Sequence, residues 1–120
     1  MHLLTIGDLH GSTAWKEINP VKWDKIIFIG DYVDSGEYSP EEIISNLHEI
    51  IELKRSLPGK VVLLWGNHDL AYLFKGIDKH YCSGFKASML PGLSSIFIES
   101  RNLFQAAFQL KNYLWTHAGV

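Results

Sequence analysis

The side chains able to do chemistry in this sequence come in four bursts. Asp8 and His10 flank a single leucine, and Asp31 and Asp34 share one short segment. Asn67, His68 and Asp69 are consecutive, and His117 stands close to the last residue, Val120. Carboxylates, imidazoles and an amide oxygen are the ligands preferred by borderline divalent cations such as manganese, iron and zinc. No cysteine joins them, which argues against a structural zinc site. A carboxylate has two oxygens, so it can bridge two cations about 3.5–4 Å apart, the spacing used by two-metal hydrolases. Each burst alone has a plainer reading: a Gly-Asp pair makes a turn, and Asn67 could cap a helix. The joint pattern, D-x-H, then GD-x-x-D, then GNHD, then H, is hard to obtain from turns.

Such a cluster needs elements that end together. Each burst follows an apolar run: Leu3–Ile6, Ile26–Ile29, Val61–Trp65 and Tyr113–Trp115. Runs of this length and composition suit strands buried on both faces. Ligand sites in open α/β sheets gather beyond the carboxyl ends of the strands. In an extended backbone, Asp8 and His10 would point to one side. Glycines before Asp8, Asp31 and Asn67 permit close backbone approach.

Between the second and third runs the sequence predicts a helix. Ser39 caps it, Pro40 takes the first helical position, and Glu42 falls where a capping box places an acid. Ile43, Ile44, Leu47, Ile50 and Ile51 form an apolar stripe. Lys54 and Arg55 occupy the last turn, and Leu57-Pro58-Gly59 ends the helix. A strand–helix–strand unit implies parallel pairing. Residues 12–18 predict a short helix, 70–75 a helical turn, 76–92 a loop and 94–103 a helix. Phe104–Leu110 and Tyr113–His117 predict a hairpin turning at Lys111-Asn112. The fold class expected is α/β, a mixed β-sheet with flanking helices.

Bulk properties narrow the function classes. The chain has 120 residues, 47% of them hydrophobic and 20% charged, enough for one packed domain rather than a disordered segment. A net charge of −2 gives no electrostatic case for nucleic acid or an anionic membrane surface. The single cysteine, Cys82, forms no internal disulfide and favours a cytoplasmic location. The N-terminal segment lacks the features of a signal peptide, and no apolar run has the length of a membrane span. His2, His48 and His80 have no chemical partner nearby in sequence and read as surface residues.

The segments Gly7-Asp8-Leu9-His10-Gly11, Gly30-Asp31-Tyr32-Val33-Asp34-Ser35-Gly36, Gly66-Asn67-His68-Asp69 and His117-Ala118-Gly119 resemble the calcineurin-like metallophosphoesterases. The resemblance is strongest to the branch holding serine/threonine protein phosphatases and bacterial diadenosine tetraphosphatases. It implies a metal-dependent phosphoesterase with two divalent ions, manganese, iron or zinc. Asp8 and His10 would bind the first ion, Asp31 would bridge, and Asn67 and His117 would bind the second. A bridging hydroxide would attack phosphorus in line, while His68, oriented by Asp34, would protonate the leaving alkoxide. The substrate would be a phosphoprotein, a nucleotide or a small phosphoester.

The resemblance also implies a four-layer αββα sandwich. Family members continue beyond the His-Ala-Gly segment, so residues 1–120 read as the N-terminal part of such a domain. One sheet face would then lack its cover, which predicts self-association through that face or low stability. One departure matters for function: Ser35 stands where the branch usually has a phosphate-clamping arginine. Another basic group could take its place, and Lys75, Lys79 and Lys86 follow the Asn67-His68-Asp69 burst in sequence. A second class of function, a catalytically impaired binding or scaffold module on the same fold, follows from that serine.

Overall fold

Three of the apolar runs and a two-residue strand form one parallel sheet, each pairing in step with the next. The computed structural model describes residues 1–34, 37–73 and 90–117. Its strands are β1 (Leu3–Ile6), β2 (Lys25–Phe28), β3 (Val61–Leu64) and β4 (Phe104–Gln105), in the spatial order β1-β2-β3-β4, all parallel. The register pairs Ile6 with Phe28 and Phe28 with Leu63, so the carboxyl ends align at one edge. Side chains alternate between the two faces as strand geometry requires. Ile26, Phe28, Val61 and Leu63 join one buried cluster, and Ile27, Val62 and Leu64 the other.

The first face is covered by helices. Helix α1 (Pro40–Ser56) starts where predicted: Ser39 accepts a hydrogen bond from the Glu42 amide at 3.2 Å, with Pro40 in the first turn. Its buried face carries Ile43, Leu47, Ile50 and Ile51, each worth about 1.5–3 kcal/mol on transfer from water. Asn46 is buried in the same face with both ends of its amide satisfied. It accepts from Trp15 Nε1 at 2.8 Å and donates to the Ser12 carbonyl at 3.0 Å, docking the β1–β2 connection onto the helix. That connection holds a 3-10 turn, Ala14–Glu17, inside the predicted 12–18 segment. Helix α2 (Asn67–Leu73) and helix α3 (Leu90–Glu99) complete the layer, followed by a 3-10 turn at Arg101–Leu103. Leu90, Pro91 and Gly92, expected in a loop, open α3. Ser35, Lys75, Lys79, Lys86 and the remainder of the predicted 76–92 loop lie outside the described residues.

The second face differs from expectation. The 104–110 run splits: Phe104 and Gln105 pair with β3, and only β5 (Ala107–Leu110) pairs antiparallel with β6 (Tyr113–Thr116). The turn falls at Lys111-Asn112, with Lys111 at φ 55°. The mixed sheet is thus a parallel sheet plus a separate hairpin. Phe108 and Trp115 lie over Ile27, Val62 and Leu64, all three buried, and Trp115 Nε1 donates to Thr5 Oγ1 at 3.1 Å. The face expected to be open carries this hairpin; what remains exposed is the hairpin's own Tyr113 and Leu114. No helix among the described residues is long and apolar enough to cross a membrane.

Beyond the strand ends, two contacts set how closely the loops approach. Gly30 (φ 106°) and Gly66 pack backbone to backbone: a Cβ on Gly30 would sit 2.5 Å from the Gly66 nitrogen. Asp69, wholly buried, accepts three backbone N–H groups: Asp31 at 2.8 Å, Tyr32 at 2.9 Å and Gly66 at 3.0 Å. The loop after β1 is fastened in turn by His10 and Gly11 amides to the Asp31 and Tyr32 carbonyls, both at 2.9 Å.

Gly66→Ala pushes a methyl group into the Asp31 backbone nitrogen and carboxylate and lowers unfolding free energy in urea by about 3 kcal/mol. Gly59→Ala, where a Cβ meets nothing within 4 Å, changes it by less than about 0.5 kcal/mol. Asp69→Asn replaces one of two accepting oxygens by a donor that faces an N–H. The same urea titration then shows a loss of about 1–3 kcal/mol.

Candidate metal centre

Asp31 stands at the middle of the strand-end cluster. Its backbone is left-handed (φ 59°), and its Oδ1 accepts the His68 amide at 3.0 Å. The other oxygen, Oδ2, faces two imidazoles: His117 Nε2 at 3.1 Å and His10 Nε2 at 3.8 Å. Backbone carbonyls fix both rings. His10 Nδ1 donates to Val33 O and His117 Nδ1 to Ile29 O, each at 2.8 Å, so both present Nε2 to the centre. Such outer hydrogen bonds are what orient metal-ligating histidines. The hairpin delivers His117: β6 crosses the sheet face and releases the chain beside the end of β2.

The donor chemistry fits a divalent cation. His117 Nε2 lies 3.0 Å from Asn67 Oδ1 as well as 3.1 Å from Asp31 Oδ2. With Nδ1 donating to Ile29, a neutral His117 aims its lone pair at two oxygens, an arrangement that needs a proton or a cation between them. Among the described residues, ligand atoms within 4.8 Å of one another form two groups that share Asp31: His10, Asp31 and His68, and Asp8, Asp31 and His117. The resemblance set Asp8 beside His10 on one ion. Here Asp8, largely exposed, groups with His117, its Oδ1 3.8 Å from Nδ1 of that ring. The alternation that would aim Asp8 and His10 alike needs extended backbone. But β1 ends at Ile6, and His10 is left-handed at φ 46°.

His68, in the first turn of α2, packs in a T-shape with His10, ring centroids 4.7 Å apart. Its Nδ1 is 2.9 Å from Asp34 Oδ2, which leaves Nε2 facing the pocket. Nε2 there is a ligand atom when the ring is neutral and a proton donor when it is charged. Asp34 is buried and left-handed (φ 65°). Burial pushes its carboxyl above the usual range, against the hydrogen bonds from Tyr72 and His68 that favour the charged form. Burial likewise pushes Asp69 up to about 8, opposed by its three N–H donors.

All seven residues named from sequence, Asp8, His10, Asp31, Asp34, Asn67, His68 and His117, line this one strand-end region. Asp69 and Tyr72 have no role legible in the sequence. Asp69 accepts backbone N–H groups, which leave no trace in residue order, and Tyr72 is marked only by standing one helical turn after His68, on the same helix face.

Known proteins place the chain. The family model for calcineurin-like phosphoesterases matches residues 1–120. A Schizosaccharomyces pombe protein, named among the serine/threonine-protein phosphatases, is 33% identical over 93 residues, covering 73% of this chain and 27% of the relative. The PP2A-like phosphatase PPG1 of Saccharomyces cerevisiae is 38% identical over 69 residues, 53% of this chain and 18% of that protein. Serine/threonine-protein phosphatase 5 of Solanum lycopersicum is 32% identical over 104 residues, 82% of this chain and 17% of that protein. The matched stretch is therefore under a third of each relative's length. No solved structure matches the chain. Since the family match runs through every strand and every strand-end residue described above, the chain belongs to the calcineurin-like phosphoesterases.

Proposed function

We propose that this chain carries the metal-binding and acid-base residues of a phosphoester hydrolase. The observation that carries the reading is the single carboxylate oxygen, Asp31 Oδ2, faced by two imidazole nitrogens whose far sides are locked to backbone carbonyls. Asp8, His10, Asp31, Asn67 and His117 would hold two divalent cations of the manganese, iron or zinc kind. When bound, these ions supply positive charge against the phosphoryl oxygens and acidify the attacking water.

The other roles belong to this chain's side chains. Asp34, taken as ionised, accepts from His68 Nδ1–H and holds the imidazole charged, with Nε2–H directed into the pocket. As the phosphorus–oxygen bond breaks, that Nε2 proton passes to the leaving oxygen. The products are an alcohol and phosphate, and His68 is left neutral, to be protonated again from solvent. The His68 amide, donating to Asp31 Oδ1, ties the start of α2 to the metal-binding carboxylate, so acid and ligand keep a fixed separation. Relatives named as serine/threonine protein phosphatases favour a phosphorylated serine or threonine as substrate. The scaffold reading rests on Ser35 and predicts metal binding without turnover.

Titration calorimetry with Mn²⁺ reports tight binding to the wild-type protein and at least ~100-fold weaker binding to Asp31→Asn, which removes the shared oxygen. Unchanged affinity in the variant contradicts the ligand assignment. With a phosphoserine peptide and saturating Mn²⁺, His68→Asn lowers kcat by roughly 100-fold or more while leaving KM within a few-fold. Metal binding without turnover in the wild-type full chain selects the scaffold reading instead.

A further inference from the structure

The carboxylate that orients His68 is held from both sides. Asp34 Oδ2 faces His68 Nδ1 at 2.9 Å, and its other oxygen, Oδ1, accepts the Tyr72 hydroxyl. The terminal torsion of an aspartate is a broad, nearly two-fold rotor, so one hydrogen bond leaves the carboxylate plane loosely set. A second donor on the opposite oxygen sets it. Tyr72 is wholly buried and Asp34 is 3% exposed, so solvent does not take the place of that donor. Tyr72 is anchored in turn: Ser94 Oγ of α3, also buried, donates to the Tyr72 carbonyl at 2.5 Å. His68 and Tyr72 lie one turn apart on α2, so acid and clamp move as one body against the Asp34 loop.

We propose that Tyr72 is a positioning residue for the acid step, fixing through Asp34 the direction in which His68 presents its proton. The proposal rests on His68 being the general acid. A tyrosine that only fills space and satisfies its own hydroxyl would sit in the same place, so the test must separate the two roles. Leaving-group chemistry does so. An aryl phosphate such as p-nitrophenyl phosphate departs as a stable phenolate and needs little protonation. An alkyl phosphomonoester departs as a poor alkoxide and depends on the acid.

The experiment compares kcat and KM of the full-length protein, loaded with Mn²⁺, on these two substrates for wild type, Tyr72→Phe and His68→Asn. Tyr72→Phe lowers kcat on the alkyl ester by ~10-fold, lowers it on the aryl ester by less than ~2-fold, and leaves both KM values within ~2-fold. His68→Asn shows the same asymmetry, larger. Equal losses on the two substrates, or none, in Tyr72→Phe while His68→Asn stays asymmetric overturn the role of Tyr72 alone. Symmetric behaviour of His68→Asn overturns the acid reading and this proposal with it. Should Tyr72→Phe fail to fold, 3-fluorotyrosine is introduced at position 72, a donor of altered strength and nearly unchanged size. A rate change confined to the alkyl ester supports the proposal, and rates unchanged on both esters, or changed equally, overturn it.

Discussion

The arrangement of this protein's strand ends depends on one buried carboxylate. Asp69 gathers the amides of Asp31, Tyr32 and Gly66, joining the loop after β2 to the loop after β3. Without an acceptor there, three buried N–H groups would face one another with no water to satisfy them, at a cost of about 1–3 kcal/mol each. Gly30 and Gly66 make the arrangement sterically attainable, because neither loop could come so close with a side chain at these positions. The side chains clustered at the strand ends are thereby set by backbone contacts made one layer beneath them.

Strain collects in the same place. Among the described residues, the non-glycine residues with positive φ are His10, Asp31, Asp34 and Lys111, and the first three belong to the site. Each left-handed residue costs on the order of 1 kcal/mol and persists only where its surroundings over-determine it. Here the surroundings do so: amide hydrogen bonds fix the loops on either side, and each ring or carboxylate finds a partner. The left-handed conformations turn side chains across the sheet edge instead of along the strands: His10 faces one oxygen of Asp31, and Asp34 faces His68. His117 arrives separately, carried by a hairpin whose Phe108 and Trp115 bury Ile27, Val62 and Leu64. The apolar cover of one sheet face and the placing of His117 beside Asp31 are thus the work of one element.

Much of this was legible in the amino-acid order. Apolar runs of four or five residues marked β1, β2 and β3; β3 is buried throughout and β2 nearly so, whereas β1, at the sheet edge, is only half-buried. Ser39, Pro40 and the Ile43–Ile51 stripe marked α1, whose termini follow from local capping chemistry. The seven candidate residues could be named because the chemistry proposed for them is written in residue type. What could not be read was direction. The alternation that pointed Asp8 and His10 the same way assumed an extended backbone, and the chain turns at His10 instead. The Phe104–Leu110 run could not reveal that two of its residues serve one sheet and four another. Pairing of that kind depends on a distant partner, β3, and not on local propensity. Asp69 meets three backbone amides and the Tyr72 hydroxyl meets another side chain, contacts that only three dimensions display.

If side chains from separate strand ends share cations through Asp31, crystals of the protein grown with Zn²⁺ and measured at the zinc absorption edge will show anomalous density beside the Asp31 carboxylate, about 2.0–2.2 Å from Oδ2 and from Nε2 of His10 or of His117. Anomalous density elsewhere on the molecule, with Asp31 bound to no ion, would rule this sharing out.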